Sequence, residues 1–102
     1  MKQTELKVDG TGATMKLNLG FIPHAVEITN VTKRTQLIFT VNDEVNTLGI
    51  TVAAAGTRAK ATAGVEVTTT DDDIRGIILD GAAIVNIAGD KLVVKSTLLD
   101  YI

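Results

Sequence analysis

Few residues in this chain are equipped for chemistry. One histidine, His24, follows the one proline, Pro23, in "GFIPHAVEITN" (residues 20–30), and three carboxylates run together as Asp71, Asp72 and Asp73. An imidazole acts as a general base only beside an orienting carboxylate and a nucleophile or water within reach. No motif around His24 supplies them. One histidine and no cysteine also leave zinc without a ligand set. The expectation is therefore structural: Pro23 fixes φ as the chain enters an edge strand, and His24 sits on its surface. The Asp71–Asp73 run offers oxygens to a cation such as calcium. It lacks the alternating spacing and closing Glu of an EF-hand loop, so it reads as a solvated acidic loop, as do Asp43 and Glu44. "GTGATMK" (10–16) has neither the spacing of a P-loop nor a helix to follow it. Asn30, in "NVT", is a formal glycosylation acceptor, which has no force without a secretory signal. The sequence is expected to encode no enzyme and no cofactor site.

Composition narrows the field further. The chain has 102 residues, the length of one domain spanning 1–102, with 45% hydrophobic residues. Aromatics are only Phe21, Phe39 and Tyr101. A core must come from aliphatic side chains, and 11 Val, 10 Ile and 15 Thr make more than a third of the chain β-branched. Such side chains are stiff at χ1 and fit a pleated surface. A net charge of −2, from 10 basic and 12 acidic residues, would not neutralise a run of phosphates. With so few aromatics to stack bases, nucleic acid is not an expected partner. "MKQTELKVDG" lacks the apolar stretch of a secretory leader, and no apolar run approaches the ~20 residues of a membrane helix. A soluble protein with no membrane partner is expected.

Two-residue alternation dominates what remains. Met15, Leu17 and Leu19 oppose Thr14, Lys16 and Asn18. Val26 and Ile28 oppose Glu27 and Thr29. Leu37, Phe39 and Val41 oppose Gln36, Thr40 and Asn42, with Ile38 intruding on the polar side. Ile50 with Val52, Val65 with Val67, "IRGIILD", "AIVNIAG" and "KLVVKST" continue the series. "VAAAGTRAKATAGV" (52–65) reads as a turn at Ala55-Gly56 followed by a strand, because its glycines disfavour a helix. The Asp-Gly pairs in "VDGTG" and "LDGAA" predict tight hairpin turns with positive φ, and "AGDK" a turn joining the last two strands. The expected fold is all-β: a single-domain antiparallel β-sandwich or small β-barrel of about eight or nine short strands.

Several segments, in order, resemble a family of small bacteriophage virion structural proteins. "GATMKLNLGFIPHAVEITNVTKRTQLIF" (12–39) matches its Gly-Phe-x-Pro-x-x-Val-x-hydrophobic-x-Asn pattern through Gly20, Phe21, Pro23, Val26, Ile28 and Asn30. "AAAGTRAKATAGVEVT" (53–68) is similar to its Ala-Ala-x-Gly-Thr-Arg turn and following strand. "DIRGIILDGAAIVNIAGDKLVVKS" (73–96) resembles its Arg-Gly strand, Val-Asn-x-x-Gly-Asp and final strand. The resemblance implies a capsid decoration (cement) or minor head protein, made in the bacterial cytoplasm and located in the virion. Its implied partner is the major capsid protein, and sites on symmetry axes make a homo-oligomer, such as a trimer, the expected assembly. The family often places aromatics after the Asn-containing strand and in the last strand, where this chain has "QLIFTVND" and "LVVKST", so the resemblance does not carry over the contacting face. The alternative is a tail or fibre module that binds a host glycan or protein. Phe21, just before Pro23, is expected to anchor in the core the strand that Pro23 and His24 start.

Apolar residues on otherwise polar faces are the candidates for assembly: Val31, Ile38 and Ile84. The tail "STLLDYI" adds Leu98, Leu99, Tyr101 and Ile102. Ends of chains are usually polar, so these four either complete the core or dock on a neighbour.

Overall fold

The computed structural model describes residues 2–40, 49–68 and 74–98. Among these it is all-β, with nine strands: β1 (Lys2–Asp9), β2 (Met15–Asn18), β3 (Ala25–Asn30), β4 (Thr35–Thr40), β5 (Ile50–Val52), β6 (Arg58–Lys60), β7 (Val65–Val67), β8 (Gly76–Leu79) and β9 (Lys91–Leu98). They form a six-stranded sheet in the order β1-β9-β3-β4-β5-β6 and a three-stranded sheet in the order β2-β8-β7. Every pairing is antiparallel. This is the expected small sandwich.

The alternation written in the sequence becomes the two faces of each strand. Val26 and Ile28 of β3, Leu37 and Phe39 of β4, and Leu92 and Val94 of β9 are buried, as are Leu17, Val65, Ile77 and Leu79 of the small sheet. Together with Ala61, Ala83 and Val85 they form one core, with Leu6, Val8, Met15, Leu19, Val67 and Ile84 packed at its margin. Phe39 is the single buried aromatic among the described residues; the rest is aliphatic.

Several sequence expectations need correction. β3 is not an edge strand: it lies between β9 and β4. Pro23 stands just ahead of its ladder, where a missing N–H costs nothing. It is Pro23, fully buried, that anchors the entry, whereas Phe21 is half-buried and outside the core. His24 is half-buried rather than on the open surface, and its backbone N–H donates to Thr97 O at 2.8 Å.

Residues 83–88 alternate like a strand but do not form one. Ala83 N donates to Asp80 O, Asn86 N to Ala83 O, and Asp90 N to Ile87 O, so the chain runs through consecutive turns. Residues 88–90 therefore lead from those turns into β9 and do not join two strands. The strand count holds because β1 takes the vacated place. Its "KQTELKVD" carries only Leu6 and Val8 as strongly apolar residues, too thin a stripe to stand out.

Neither Asp-Gly pair makes a hairpin. β1 pairs with β9 and β2 with β8, so the chain leaves β1 for the other sheet. Gly10 and Gly81 are absent from the positive-φ glycines; Gly12, Gly20, Gly49, Gly56 and Gly89 hold those conformations. At Gly10 a Cβ would collide with the backbone of Ile87, and at Gly81 it would lie 2.9 Å from Ala13 Cα. These glycines serve close approach of two backbones, a role distinct from left-handed turning.

Candidate interaction surface

A group of buried, hydrogen-bonded polar side chains lies at one end of the sandwich. Asn30, fully buried at the end of β3, donates through Nδ2 to Val85 O and Asp90 Oδ2, both at 3.0 Å. Its Oδ1 accepts from Lys33 N at 2.8 Å. Lys33 Nζ stands 3.5 Å from the same Asp90 oxygen, so the buried carboxylate has both a hydrogen-bond donor and a cation. Asn86 does similar work nearby. Its Oδ1 accepts from Thr11 N and Gly12 N, and its Nδ2 donates to Ala13 O and Asp80 O. Two amide side chains thus replace a strand ladder as the partners of loop backbone. Asn30, Asn86 and Asp90 are among the residues on which the phage-family resemblance rests. Here they hold loops together, and they are shielded from any ligand.

The outer face of the six-stranded sheet is different. Register alone draws one row across all six strands: Glu5, Lys95, Glu27, Ile38, Ile50 and Lys60. A second row reads Lys7, Val93, Thr29, Gln36, Val52 and Arg58. The face divides accordingly. Over β1, β9 and β3 it is charged, with Lys95 opposite both Glu5 and Glu27. At the β4–β5 pair it carries a small apolar patch, with Ile38 opposite Ile50 and Val52 two residues along opposite Gln36. Arg58 and Lys60 on β6 border this patch. Ile50 is 40% exposed, unusual for an isoleucine in a strand. An open, shallow depression beside the patch is lined by Ala25, Glu27, Ile38, Thr40, Lys95 and Thr97 among others. It does not enclose a small molecule.

The assembly candidates do not gather into one surface. Ile38 lies on the outer face, as its place among polar residues suggested. Val31 is 51% exposed in the β3–β4 turn. Ile84 is half-buried against the core, so it is not the exposed apolar residue expected. Leu98 ends β9 opposite Lys2, half-buried on the inward side with Leu92 and Val94. The eight residues of β9 separate it from the Val31 end by ~23 Å. Leu99, Tyr101, Ile102, Asp43, Glu44 and Asp71–Asp73 lie outside the described residues.

Ile50 and Val52 were absent from the assembly candidates: sequence reading paired them on one face of a strand without saying which way that face points. Period two shows that Ile50 and Val52 share a face but not which face is inward. The pairing of Ile50 with Ile38 decides it. Ile87, 39% exposed among the turns after β8, was likewise unforeseen.

Among the described residues no group of three or more His, Asp or Glu side chains is placed to hold a metal ion, and no helix is long and apolar enough to cross a membrane. No family model, curated protein or solved structure matches this chain.

Proposed function

We propose that this protein is a non-enzymatic structural component of a phage virion, a capsid decoration or minor head protein that binds the major capsid protein shell. The observation that carries this reading is the Ile38–Ile50–Val52 patch, an apolar area on the outer face of a sheet whose inner face packs on the core through β3, β4 and β9. A sheet backed by a sandwich core presents such a patch without reorganising, which keeps the entropic cost of docking low. The bordering Arg58 and Lys60 favour a shell surface carrying carboxylates. The ordered motifs at Gly20–Asn30, in 53–58 and around Asn86 and Asp90 point to the same class of protein. A homo-oligomer seated on a symmetry axis of the shell belongs to the same proposal.

Sedimentation of intact virions tests this. The protein should travel with the capsids, and an Ile38→Lys/Ile50→Lys variant, folded by circular dichroism, should stay in the free fraction. Wild-type protein found only in the free fraction would overturn the reading.

A further inference from the structure

The two edges of the large sheet are built unlike one another. β6 is a three-residue edge carrying Arg58 and Lys60, a short and charged strand of the kind that resists further pairing. β1 is eight residues long, has neither Pro nor Gly, and has no neighbour on its far side among the described residues. Its backbone polarity can be assigned. In β9 the odd-numbered carbonyls face β3, since Thr97 O accepts from His24 N and Lys91 O from Val31 N. The even-numbered groups of β9 therefore face β1. By register they meet Lys2, Thr4, Leu6 and Val8. Gln3, Glu5, Lys7 and Asp9 are left with their N–H and C=O groups directed at the open edge.

We propose that this edge pairs with β1 of a second copy, antiparallel and about a two-fold axis at Leu6. In that register Glu5 lies opposite Lys7 of the other chain, and Lys7 opposite its Glu5. Gln3 meets Asp9, Thr4 meets Val8, and Leu6 meets Leu6, in each case across the axis. The odd-numbered residues form the hydrogen-bonded pairs that their outward backbone groups require. Charge disfavours the neighbouring registers. A slip of two residues one way sets Glu5 against Glu5, and the other way sets Lys7 against Lys7 and Glu5 against Asp9. The half-buried Leu6 and Val8 gain cover from Leu6 and Thr4 of the other copy. The contact is isologous and closes at a dimer, unlike an open-ended edge stack. It joins two six-stranded sheets into one and leaves the Ile38–Ile50–Val52 patch free on each. The inference therefore stands or falls separately from shell binding.

The chain has no cysteine, which makes the test clean. Sedimentation equilibrium of the purified protein should show a concentration-dependent dimer. Glu5→Lys and Lys7→Glu should each weaken it about tenfold or more, because symmetry makes every reversal act twice. The double variant Glu5→Lys/Lys7→Glu should restore it. Under mild oxidation Leu6→Cys should form a covalent dimer, since position 6 faces itself at the short separation of a non-hydrogen-bonded pair. Gln3→Cys, opposite position 9, should not. A monomer at every concentration, a trimer, association indifferent to both reversals, or equal cross-linking at positions 3 and 6 would overturn the proposal.

Discussion

Leu37 and Ile38 are adjacent in β4 and similar in size, yet they occupy opposite sides of the same sheet. Leu37 is fully buried opposite Ile28, within a core shared by both sheets. Ile38 stands opposite Glu27 and Ile50, half-covered, with charged residues on either flank of its row. The inner face of β3 and β4 holds the fold together, and the outer face is available to something else. An apolar side chain therefore says little about its role until its face is known. On the inner face it removes surface from water in the folding reaction, and on the outer face it leaves that gain for a partner.

The sharpest way to break this contrast is to truncate both residues. Leu37→Ala should cost about 3 kcal/mol, the loss of a buried side chain plus the cavity left behind. Ile38→Ala should cost about 1 kcal/mol or less, because its surroundings are already partly wet. Chemical denaturation of both variants measures the difference, and equal losses would erase the distinction between the faces.

The next test moves to the polar end of the inner face. Asn30→Ala removes two donated hydrogen bonds and one accepted bond, and leaves buried Asp90 with Lys33 alone of its two side-chain partners. A loss of about 2 kcal/mol is expected, with faster amide exchange in the β3–β4 turn, where Lys33 N depends on Asn30. Unchanged stability would show that the amide network merely decorates the turn.

The smallest effect concerns Thr35. It is buried opposite Asn30, and its hydroxyl has no hydrogen-bond partner, as is also true of Ser96. Thr35→Val keeps the β-branched shape and removes the unpaired group. It should leave stability unchanged or raise it by about 1 kcal/mol, read as a small rise in melting temperature. A clear loss would reveal that the hydroxyl has a role within the inner face.

How far the molecule was legible varies by region, for identifiable reasons. β3, β4 and β9 announce themselves because both period and apolar content are strong. β1 is faint, since an edge strand with one side partly in water needs few apolar residues. Residues 83–88 imitate a strand through the β-branched Ile84, Val85 and Ile87, but side-chain amide bonds from Asn86 to the backbone allow a path of turns there. Of the candidate interaction residues, Ile38 was recognisable as an apolar residue among polar neighbours. Its companions Ile50 and Val52 were not, because nothing in a three-residue strand tells which side faces the core.

The sequence by itself determined the class of fold. β-branched abundance and two-residue alternation are local properties, and they hold whatever the strands pair with. Only the tertiary structure decided which strands are central and which lie at edges, and why Gly10 and Gly81 must lack a side chain. It also decided that Ile38 and Ile50 meet on one exposed face. Those outcomes depend on pairing between segments far apart in the chain, where register, not composition, sets each residue's neighbours.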